Sequence, residues 1–378
     1  MDYLRLTAAA ALTAAALCAA AQPAEGYYSS CEGKTGRALL QQLETVVGPH
    51  KNVGYDGLWN VYKTSDVRPD DGTVWDMYST KRWKVGSAQC GQYKVVGDCY
   101  NREHSMPKSW FSEAQPMKSD AFHVYPTDGK VNGQRSNYPY GECASGTTLP
   151  GSGSVKALGK LGTSTFPGYN GKVFEPVDEY KGDFARTYFY MAAAYNSRIS
   201  SWHSDMLAGN SYPVYTTWAV NLLLKWHRQD PVSDKERDRN DAVQRHQNNR
   251  NPFIDNPEMA EYIWGDKQGL PWHEGAGNQP AFILPATGAA ADLGVTAVGV
   301  PRSLSVEVRG AALAETVSAY ASGTGFSVAP STLSADAANA GATLTVTFSP
   351  SAAGNFTGTL SLRSGDASAA VALSAEAV

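Results

Sequence analysis

The chain has 378 residues, with 32 lysines and arginines against 36 aspartates and glutamates, and a formal net charge of −4. This length exceeds that of an average single domain, and a hydrophobic fraction of 42% suffices for at least one buried core. Because strongly basic nucleic-acid-binding proteins carry a large positive net charge, the composition argues against that class.

Residue types are distributed unevenly along the chain. All nine tryptophans, all five cysteines and all seven histidines precede residue 275. The stretch 286–378 contains only three basic and six acidic residues. One composition therefore does not describe the whole chain, and we predict two domains.

The N-terminal segment has the pattern of an export signal. Arg5 precedes an apolar run at 6–21, and Gln22-Pro23 follows it. A positive residue, a short apolar stretch and small residues before a polar break are typical of a secretory signal peptide. The run is short for a membrane-spanning helix, and the residue before Cys18 is unfavourable for lipid attachment. We therefore expect residues 1–21 to be a signal peptide, and the mature chain to be secreted or periplasmic with no membrane span.

Removal of that peptide leaves four cysteines, namely Cys31, Cys90, Cys99 and Cys143. An even number in an exported chain favours disulfides, and four cysteines allow three pairings. Cys90 and Cys99 flank a short strand-like stretch, so we predict that pair, which leaves Cys31 with Cys143. A zinc site would need closely spaced ligands such as CxxC, which this sequence lacks.

Hydrophobic spacing predicts helices and strands before residue 274. Apolar residues at 39–47 repeat at helical intervals, and Gly48-Pro49 ends that helix. Two strand-like pieces follow at 58–62 and 74–78. Further apolar residues at three- and four-residue intervals predict helices at 183–195, 214–227 and 233–247, the last begun by a capping box at Ser233.

The C-terminal part changes to a period of two. Residues 274–290 are rich in glycine, alanine and proline and are predicted to be a linker. Beyond them, apolar residues alternate with polar ones, as in Leu304, Val306 and Val308, and turn residues recur about every ten positions. We predict a small all-β sandwich at 291–378, which resembles the Ig-like modules of many secreted bacterial proteins. It has no histidine or cysteine and only scattered acids, so we expect no catalytic group there.

The densest polar stretches lie at 99–110 and 120–137. Strand-like sequences at 93–96 and 121–125 are followed by a helix that Thr127 or Asp128 can cap and that runs to about residue 137. This order places four chemically distinct side chains in one neighbourhood: Glu103, His104, Asn132 and Arg135.

These side chains suit phosphodiester hydrolysis, which needs a base for water, a divalent cation and a positive charge on the phosphate. Histidine is a base near neutral pH, and one carboxylate with one amide leaves most of a Mg²⁺ shell open. Glu103 and His104 are adjacent, so both can reach one metal only if the strand is irregular, for instance at a bulge. The alternative is that neither residue is catalytic: His104 would then be exposed, and Glu103 would have only a capping role in the local structure.

The sequences REHSMPKSW at 102–110 and GKVNGQRSN at 129–137 resemble the motifs of the secreted endonuclease I family. Four further segments fit the same pattern, at 174–176, 181–186, 230–233 and 249–255. The similarity covers about residues 27–270. Members of this family are bacterial periplasmic and extracellular nucleases with the ββα-metal (His-Me finger) fold.

The resemblance implies an α+β catalytic domain at 22–273, with a ββα-metal core and several surrounding helices. It implies His104 as the general base and Glu103 and Asn132 as Mg²⁺ ligands, with Mn²⁺ or Ca²⁺ as alternatives at the same site. The expected reaction cleaves DNA or RNA without sequence preference and leaves 5′-phosphate and 3′-hydroxyl ends.

The arginine that stabilises the phosphate is a separate prediction. Some relatives place it between the base and the second strand, where residues 111–119 contain no arginine. We predict Arg135 as the substitute, with Arg102 behind it. The family often has two histidines where this chain has Phe122-His123, so we expect His123 to have a supporting role.

Lys108, Lys130 and Asn137 are predicted to contact phosphates. Two alternative functions remain open at this point: a nuclease that prefers RNA, and a noncatalytic adhesion or polymer-binding protein that uses the sandwich and the aromatic residues. A glycoside hydrolase is disfavoured because no pair of carboxylates stands out. We expect a monomer.

Overall fold

The computed structural model describes residues 23–275, 280–286 and 288–378. The predicted signal peptide at 1–21 and part of the predicted linker lie outside these residues. Among the helices described, none is both long and apolar enough to cross a membrane.

The described residues form ten α-helices, numbered in chain order: α1 Gly36–Val47, α2 Leu58–Ser65, α3 Gly129–Arg135, α4 Lys181–Ala194, α5 Asn196–Ile199, α6 Thr217–Gln229, α7 Asp234–Gln247, α8 Pro252–Asp255, α9 Met259–Ile263 and α10 Ala335–Ala340. They form sixteen strands: β1 Thr73–Val74, β2 Trp83–Lys84, β3 Tyr100–His104, β4 Val124–Asp128, β5 Thr147–Thr148, β6 Lys160–Thr163, β7 Lys172–Glu175, β8 Ala281–Leu284, β9 Ala290–Thr296, β10 Arg302–Ala311, β11 Val317–Ser322, β12 Phe326–Ala329, β13 Thr332–Leu333, β14 Ala342–Phe348, β15 Gly354–Ser364 and β16 Ala367–Ala377.

Helix α4 forms the centre of the N-terminal part. Every one of its residues is buried, and it packs against α1, α6 and α8. The helices predicted at 183–195, 214–227 and 233–247 are confirmed as α4, α6 and α7 within a few residues. The Ser233 hydroxyl and the Glu236 carboxylate form the predicted capping box at the start of α7.

Two predicted strands are wrong, and in a third, predicted at 74–78, only Val74 lies in a strand. The stretch at 58–62 belongs to helix α2, whose buried residues Leu58, Val61, Tyr62 and Ser65 are spaced as one helical face. Residues 93–96 form no strand, because they lie in a loop closed by the Cys90–Cys99 disulfide. The carboxylate of Asp98 accepts hydrogen bonds from the backbone of that loop and fixes it as a turn.

The ββα unit consists of β3, β4 and α3. Strands β3 and β4 pair antiparallel, with Glu103 opposite Tyr125 and His104 opposite Val124. Helix α3 follows β4 directly, and Asp128 caps it by accepting hydrogen bonds from the backbone nitrogens of Lys130 and Val131. The predicted order is therefore confirmed, but the first strand is Tyr100–His104 and carries Glu103 and His104 itself.

The C-terminal part is an all-β sandwich with its own hydrophobic core. One sheet has the order β12-β14-β10-β8 and the other has the order β13-β11-β15-β16-β9. Residues Val308, Val346 and Leu362 are buried in this core, as their alternation predicts. Strands β9 and β16 pair parallel, although the other described pairs in the sandwich are antiparallel. Strand β8 lies within the predicted linker at 274–290 and pairs with β10.

The predicted Cys90–Cys99 disulfide is present. The predicted Cys31–Cys143 pair is wrong, because both residues are free thiols buried in different surroundings. Cys31 ends the turn that packs on α1, whereas Cys143 lies against Gly146 and Gly162. Burial raises the pKa of both thiols to about 11, so they remain protonated and behave as small apolar side chains.

Candidate active site

Strand β3 places Glu103 and His104 on opposite faces. Its pairing with β4 runs without a register shift, so the backbone has no bulge at these residues. Glu103 contacts Arg135 of α3, while His104 faces the ring of Tyr55 and the imidazole of His123. The bulge that would let both side chains reach one metal is therefore absent, and they flank the end of β3 from its two sides.

The hydrogen bond of His104 determines which ring nitrogen is basic. Its Nε2 lies 3.0 Å from the carbonyl oxygen of Lys118. A carbonyl only accepts, so Nε2 carries the hydrogen and Nδ1 carries the lone pair. Burial, followed by the neighbouring His123, lowers the pKa of His104 to about 3. The imidazole is thus neutral and is only 6% exposed, which contradicts the alternative of an exposed His104.

His123 is held by the same turn. Its Nε2 lies 2.6 Å from the carbonyl oxygen of Met117, the residue before Lys118. The rings of His104 and His123 are 5.6 Å apart, so one short turn at Met117–Ser119 fixes the tautomer of both imidazoles. His123 is fully buried and lies behind His104, an arrangement that suits the expected supporting role.

Glu103 is also buried, with 2% exposure. Its Oε1 accepts hydrogen bonds from the hydroxyl of Tyr78 at 2.9 Å and from Nη1 of Arg135 at 3.0 Å. Burial raises the pKa of this carboxyl to about 7, and the charge of Arg135 opposes that rise. Because both bonds fall on Oε1, Oε2 is the oxygen that can ligate a cation.

Arg135 occupies a structural position. It is 1% exposed and donates to Glu103, to the carbonyl oxygen of His104 at 2.9 Å and to that of Ser105 at 2.6 Å. Its guanidinium also lies over the ring of Tyr140. A guanidinium enclosed in this way does not reach a phosphate in solvent, so its geometry does not favour the predicted phosphate role.

Asn132 lies on the same side of β3 as Glu103. Its Nδ2 donates to Oδ1 of Asn101 at 2.8 Å, which leaves its own amide oxygen as a ligand. Within the part of the chain that the structure describes, no group of three or more His, Cys, Asp or Glu side chains could hold a metal. A carboxylate with an amide oxygen fits a hard cation that keeps most of its waters.

Two cations lie on the His104 side of the strand. The guanidinium of Arg102 lies 3.4 Å from the ring centre of Tyr55, and its Nη1 donates to the carbonyl oxygen of that residue. The ammonium of Lys118 lies 5.4 Å from the same ring centre. Because Tyr55 also stacks on His104, these charges surround the face on which the base lies.

A sequence profile of the Endonuclease I family matches residues 35–258, which include the whole ββα unit. The chain belongs to the Endonuclease I family. An extracellular ribonuclease of Bacillus amyloliquefaciens is 35% identical over 67% of this chain and 82% of its own length. An extracellular ribonuclease of Bacillus subtilis is 34% identical over 63% of this chain and 78% of its own length. A periplasmic deoxyribonuclease of Aeromonas hydrophila is 23% identical over 59% and 86%.

The remaining residues predicted from the family motifs lie around this site. Lys108 forms an ion pair with Glu113 at 2.8 Å, and Lys118 shares that carboxylate. Lys130 is half-buried at the start of α3, and Asn137 is exposed beyond its end. Lys108 is therefore near the base, whereas the other two flank the helix that carries Asn132.

Sequence reasoning missed Tyr55, Tyr78 and Lys118. Tyr55 and Tyr78 lie far from the motifs in sequence, and Lys118 acts on His104 through its backbone oxygen, which any residue type supplies.

The sequence does contain one signal for the packing of α3. Gly129 and Gly133 are four apart on one helix face, and a Cβ on Gly133 would lie 2.1 Å from the hydroxyl of Tyr93.

Proposed function

We propose that this chain is an exported Mg²⁺-dependent endonuclease that acts as a monomer. It hydrolyses phosphodiester bonds of RNA and DNA without sequence preference and leaves 5′-phosphate and 3′-hydroxyl ends. The observation that carries the proposal is the fixed tautomer of His104, whose Nδ1 lone pair belongs to a neutral imidazole beside two cations. Membership of the Endonuclease I family supports the same reaction class.

The relatives guide the choice of substrate and compartment. Those at 35% and 34% identity are named extracellular ribonucleases, and one at 23% is named a periplasmic deoxyribonuclease. We propose RNA as the first substrate to test, with DNA as the second, and a secreted or periplasmic location. A ribonuclease that rejects DNA is the second candidate function.

His104 is the general base in this proposal. Nδ1 takes a proton from the water as the water oxygen bonds to phosphorus, while Nε2–H remains bonded to the carbonyl oxygen of Lys118. The P–O3′ bond breaks, and the leaving 3′ oxygen takes a proton from solvent. That bond keeps the imidazole in the plane that Tyr55 defines by stacking. The imidazolium that forms then releases its proton to solvent, which regenerates the base.

Oε2 of Glu103 and the amide oxygen of Asn132 would hold Mg²⁺, with Mn²⁺ or Ca²⁺ as alternatives. The bound cation would supply Lewis-acid stabilisation of the charge that develops on the phosphate. Arg102 and Lys118 add positive charge from the opposite face of β3. Arg135 positions Glu103 and the end of the strand instead of contacting the phosphate.

Phosphate contacts carry no sequence information, so they fit cleavage without sequence preference. We propose Lys108, Lys130 and Asn137 for these contacts because they are at least partly exposed around β3 and α3. We also propose that residues 22–273 suffice for cleavage, since the ββα unit packs in a core separate from that of the sandwich at 291–378.

The test is cleavage of single-stranded RNA and supercoiled plasmid by the mature protein, with Mg²⁺ and then with EDTA. His104→Ala should reduce the cleavage rate by roughly 10²–10⁴-fold, the usual contribution of a general base. His203→Ala is the matched control because that imidazole is exposed outside the site. Full activity of His104→Ala would refute the base assignment. A wild type that cleaves neither substrate with any divalent cation would favour the noncatalytic alternative.

A further inference from the structure

A cavity of about 370 Å³ lies beside strand β3. Its volume lies in the lower part of the roughly 300–1,000 Å³ range of small-molecule sites. The residues that line it are Tyr55, Trp59, Gln89, Cys90, Gly91, Asn101 and Arg102. None of the steps assigned to the active site uses Trp59, Gln89 or Gly91.

One wall of the cavity is aromatic and cationic. The guanidinium carbon of Arg102 lies 3.4 Å from the ring centre of Tyr55 and 4.6 Å from that of Trp59. Aromatic rings and arginine planes are the surfaces on which proteins stack unpaired nucleobases. Because the Arg102 guanidinium lies over both rings, its outer plane is the surface on which a flat heterocycle can stack.

Amide groups supply the polar edge of the same cavity. Nε2 of Gln89 donates to the hydroxyl of Tyr100 at 3.3 Å, which directs its carbonyl oxygen elsewhere. Oδ1 of Asn101 accepts from Asn132, and its amide nitrogen lies against Gly129 of α3. The amide of Gln89 beside the aromatic and cationic wall is a group that can bind the hydrogen-bonding edge of a base.

The cavity and the proposed reaction centre share residues. Tyr55 lines the cavity and stacks on His104 with ring centres 5.9 Å apart. Asn101 lines the cavity and holds Asn132, the proposed metal ligand. If the phosphate of a nucleotide is attacked beside His104, its base would therefore lie in the cavity or next to the cavity opening.

We propose that this cavity binds one unpaired nucleobase next to the scissile phosphate, so that the enzyme prefers single-stranded RNA or DNA to a duplex. The inference rests on the proposed function and assigns the substrate form of that same site. A base in a duplex is paired and stacked, and its extrusion costs a few kcal/mol, whereas a base in a single strand enters the cavity without breaking a pair.

The first test closes the cavity without touching the catalytic groups. Gly91→Leu adds a side chain at a position where no heavy atom lies within 4 Å of the new Cβ, so the backbone accepts it. Trp59 packs edge-on against Tyr62 and Tyr100, so Trp59→Ala is unsuitable because it would also disturb the core. Tyr169→Ala is the matched control, since that ring stacks on Trp218 outside the cavity.

The readout is the ratio of kcat/KM for a short single strand to that for an abasic strand of the same length, which has the phosphates and no base. Gly91→Leu should lower this ratio about tenfold, as expected for the loss of one stacked base, and Tyr169→Ala should not lower it. Single-stranded RNA and DNA of one sequence are measured separately, so that the sugar preference is resolved. An unchanged ratio for both would overturn the proposal.

A binding measurement separates this proposal from the nuclease activity. Fluorescence anisotropy of a labelled single strand, with His104→Ala protein in EDTA, reports affinity without cleavage. Adding Gly91→Leu should weaken binding of the single strand about tenfold and narrow its advantage over the duplex. If the His104→Ala protein and the His104→Ala/Gly91→Leu protein bind the single strand with equal affinity, the cavity assignment is refuted, even if the wild type is an active nuclease.

Discussion

Nη1 of Arg135 lies 3.0 Å from Oε1 of Glu103, and both side chains are almost completely buried. The same guanidinium donates to the carbonyl oxygens of His104 and Ser105. One side chain of α3 therefore fixes the end of β3 and the carboxylate beside the base. This arrangement supports the proposed positioning role of Arg135, whereas Arg102 is the arginine on the face of the base.

The first prediction separates these two arginines. Arg135→Met leaves the Glu103 carboxylate buried without its partner and should lower the free energy of unfolding by about 3–5 kcal/mol. Arg102→Met should lower cleavage while costing less stability, because its ion pair with Asp56 is at the surface. Urea denaturation and initial cleavage rates measure the two effects. If Arg135→Met is as stable as the wild type, the positioning role is contradicted, and the predicted contact of Arg135 with the phosphate becomes the better assignment.

Local signals predicted much of the fold. The Asp128 cap and the helix after it depend on neighbouring residues, and so does the capping box at Ser233. The strand prediction at 93–96 failed because its β-branched and aromatic residues indicate a strand, while Asp98 bonds the backbone into a turn. The sandwich predicted from alternating residues is confirmed, because a period of two specifies which side chains are buried.

The site was predictable only in part. Glu103 and His104 end β3, and Asn132 contacts Asn101 of the same strand. The contacts of Arg135 were not predictable, because they depend on how α3 packs on β3. Tyr55 comes from a distant loop, and its contact with His104 exists only in the folded chain. The motifs therefore identify the chemical groups, whereas long-range packing decides their surroundings.

The second prediction concerns the Cys90–Cys99 disulfide. Replacing both cysteines by serine should lower the free energy of unfolding by about 2–3 kcal/mol, because the closed loop is short. Cleavage should also fall, since Gly97 of this loop donates to the Asp128 cap of α3. Dithiothreitol should lower the melting temperature of the wild type but not that of the double variant. Cys143→Ala, at a free thiol, is the control that keeps the response to dithiothreitol.

The third prediction concerns the glycine face of α3. Gly133→Ala places a methyl group 2.1 Å from the hydroxyl of Tyr93 and should cost roughly 1–3 kcal/mol of stability through overpacking. Gly91→Ala is the control because its new methyl group meets no atom within 4 Å. In a Tyr93→Ala background the penalty at Gly133 should disappear, and a double-mutant cycle measures this coupling. Additive effects would show that Tyr93 is not the obstacle.

The fourth prediction is a pH dependence of stability that arises at His227, outside the active site. Its Nε2 lies 3.0 Å from the carbonyl oxygen of Pro257, and its Nδ1 lies 3.3 Å from Nη1 of Arg186. The carbonyl accepts and the guanidinium donates, so the neutral tautomer with hydrogen on Nε2 satisfies both. Burial, followed by the charge of Arg186, lowers the pKa of His227 to about 4.

The direction in which stability changes with pH follows from proton linkage. An unfolded histidine has a pKa of about 6.5, so between pH 6.5 and 4 the unfolded chain binds a proton that His227 in the folded chain does not. Stability is therefore fully present above pH 6.5 and falls as the pH is lowered, by up to about 3 kcal/mol at pH 4 from this residue. His227→Gln should flatten this part of the pH profile in urea denaturation, whereas the exposed His273→Gln should not. A profile with the wild-type slope in His227→Gln would assign the acid sensitivity to other groups.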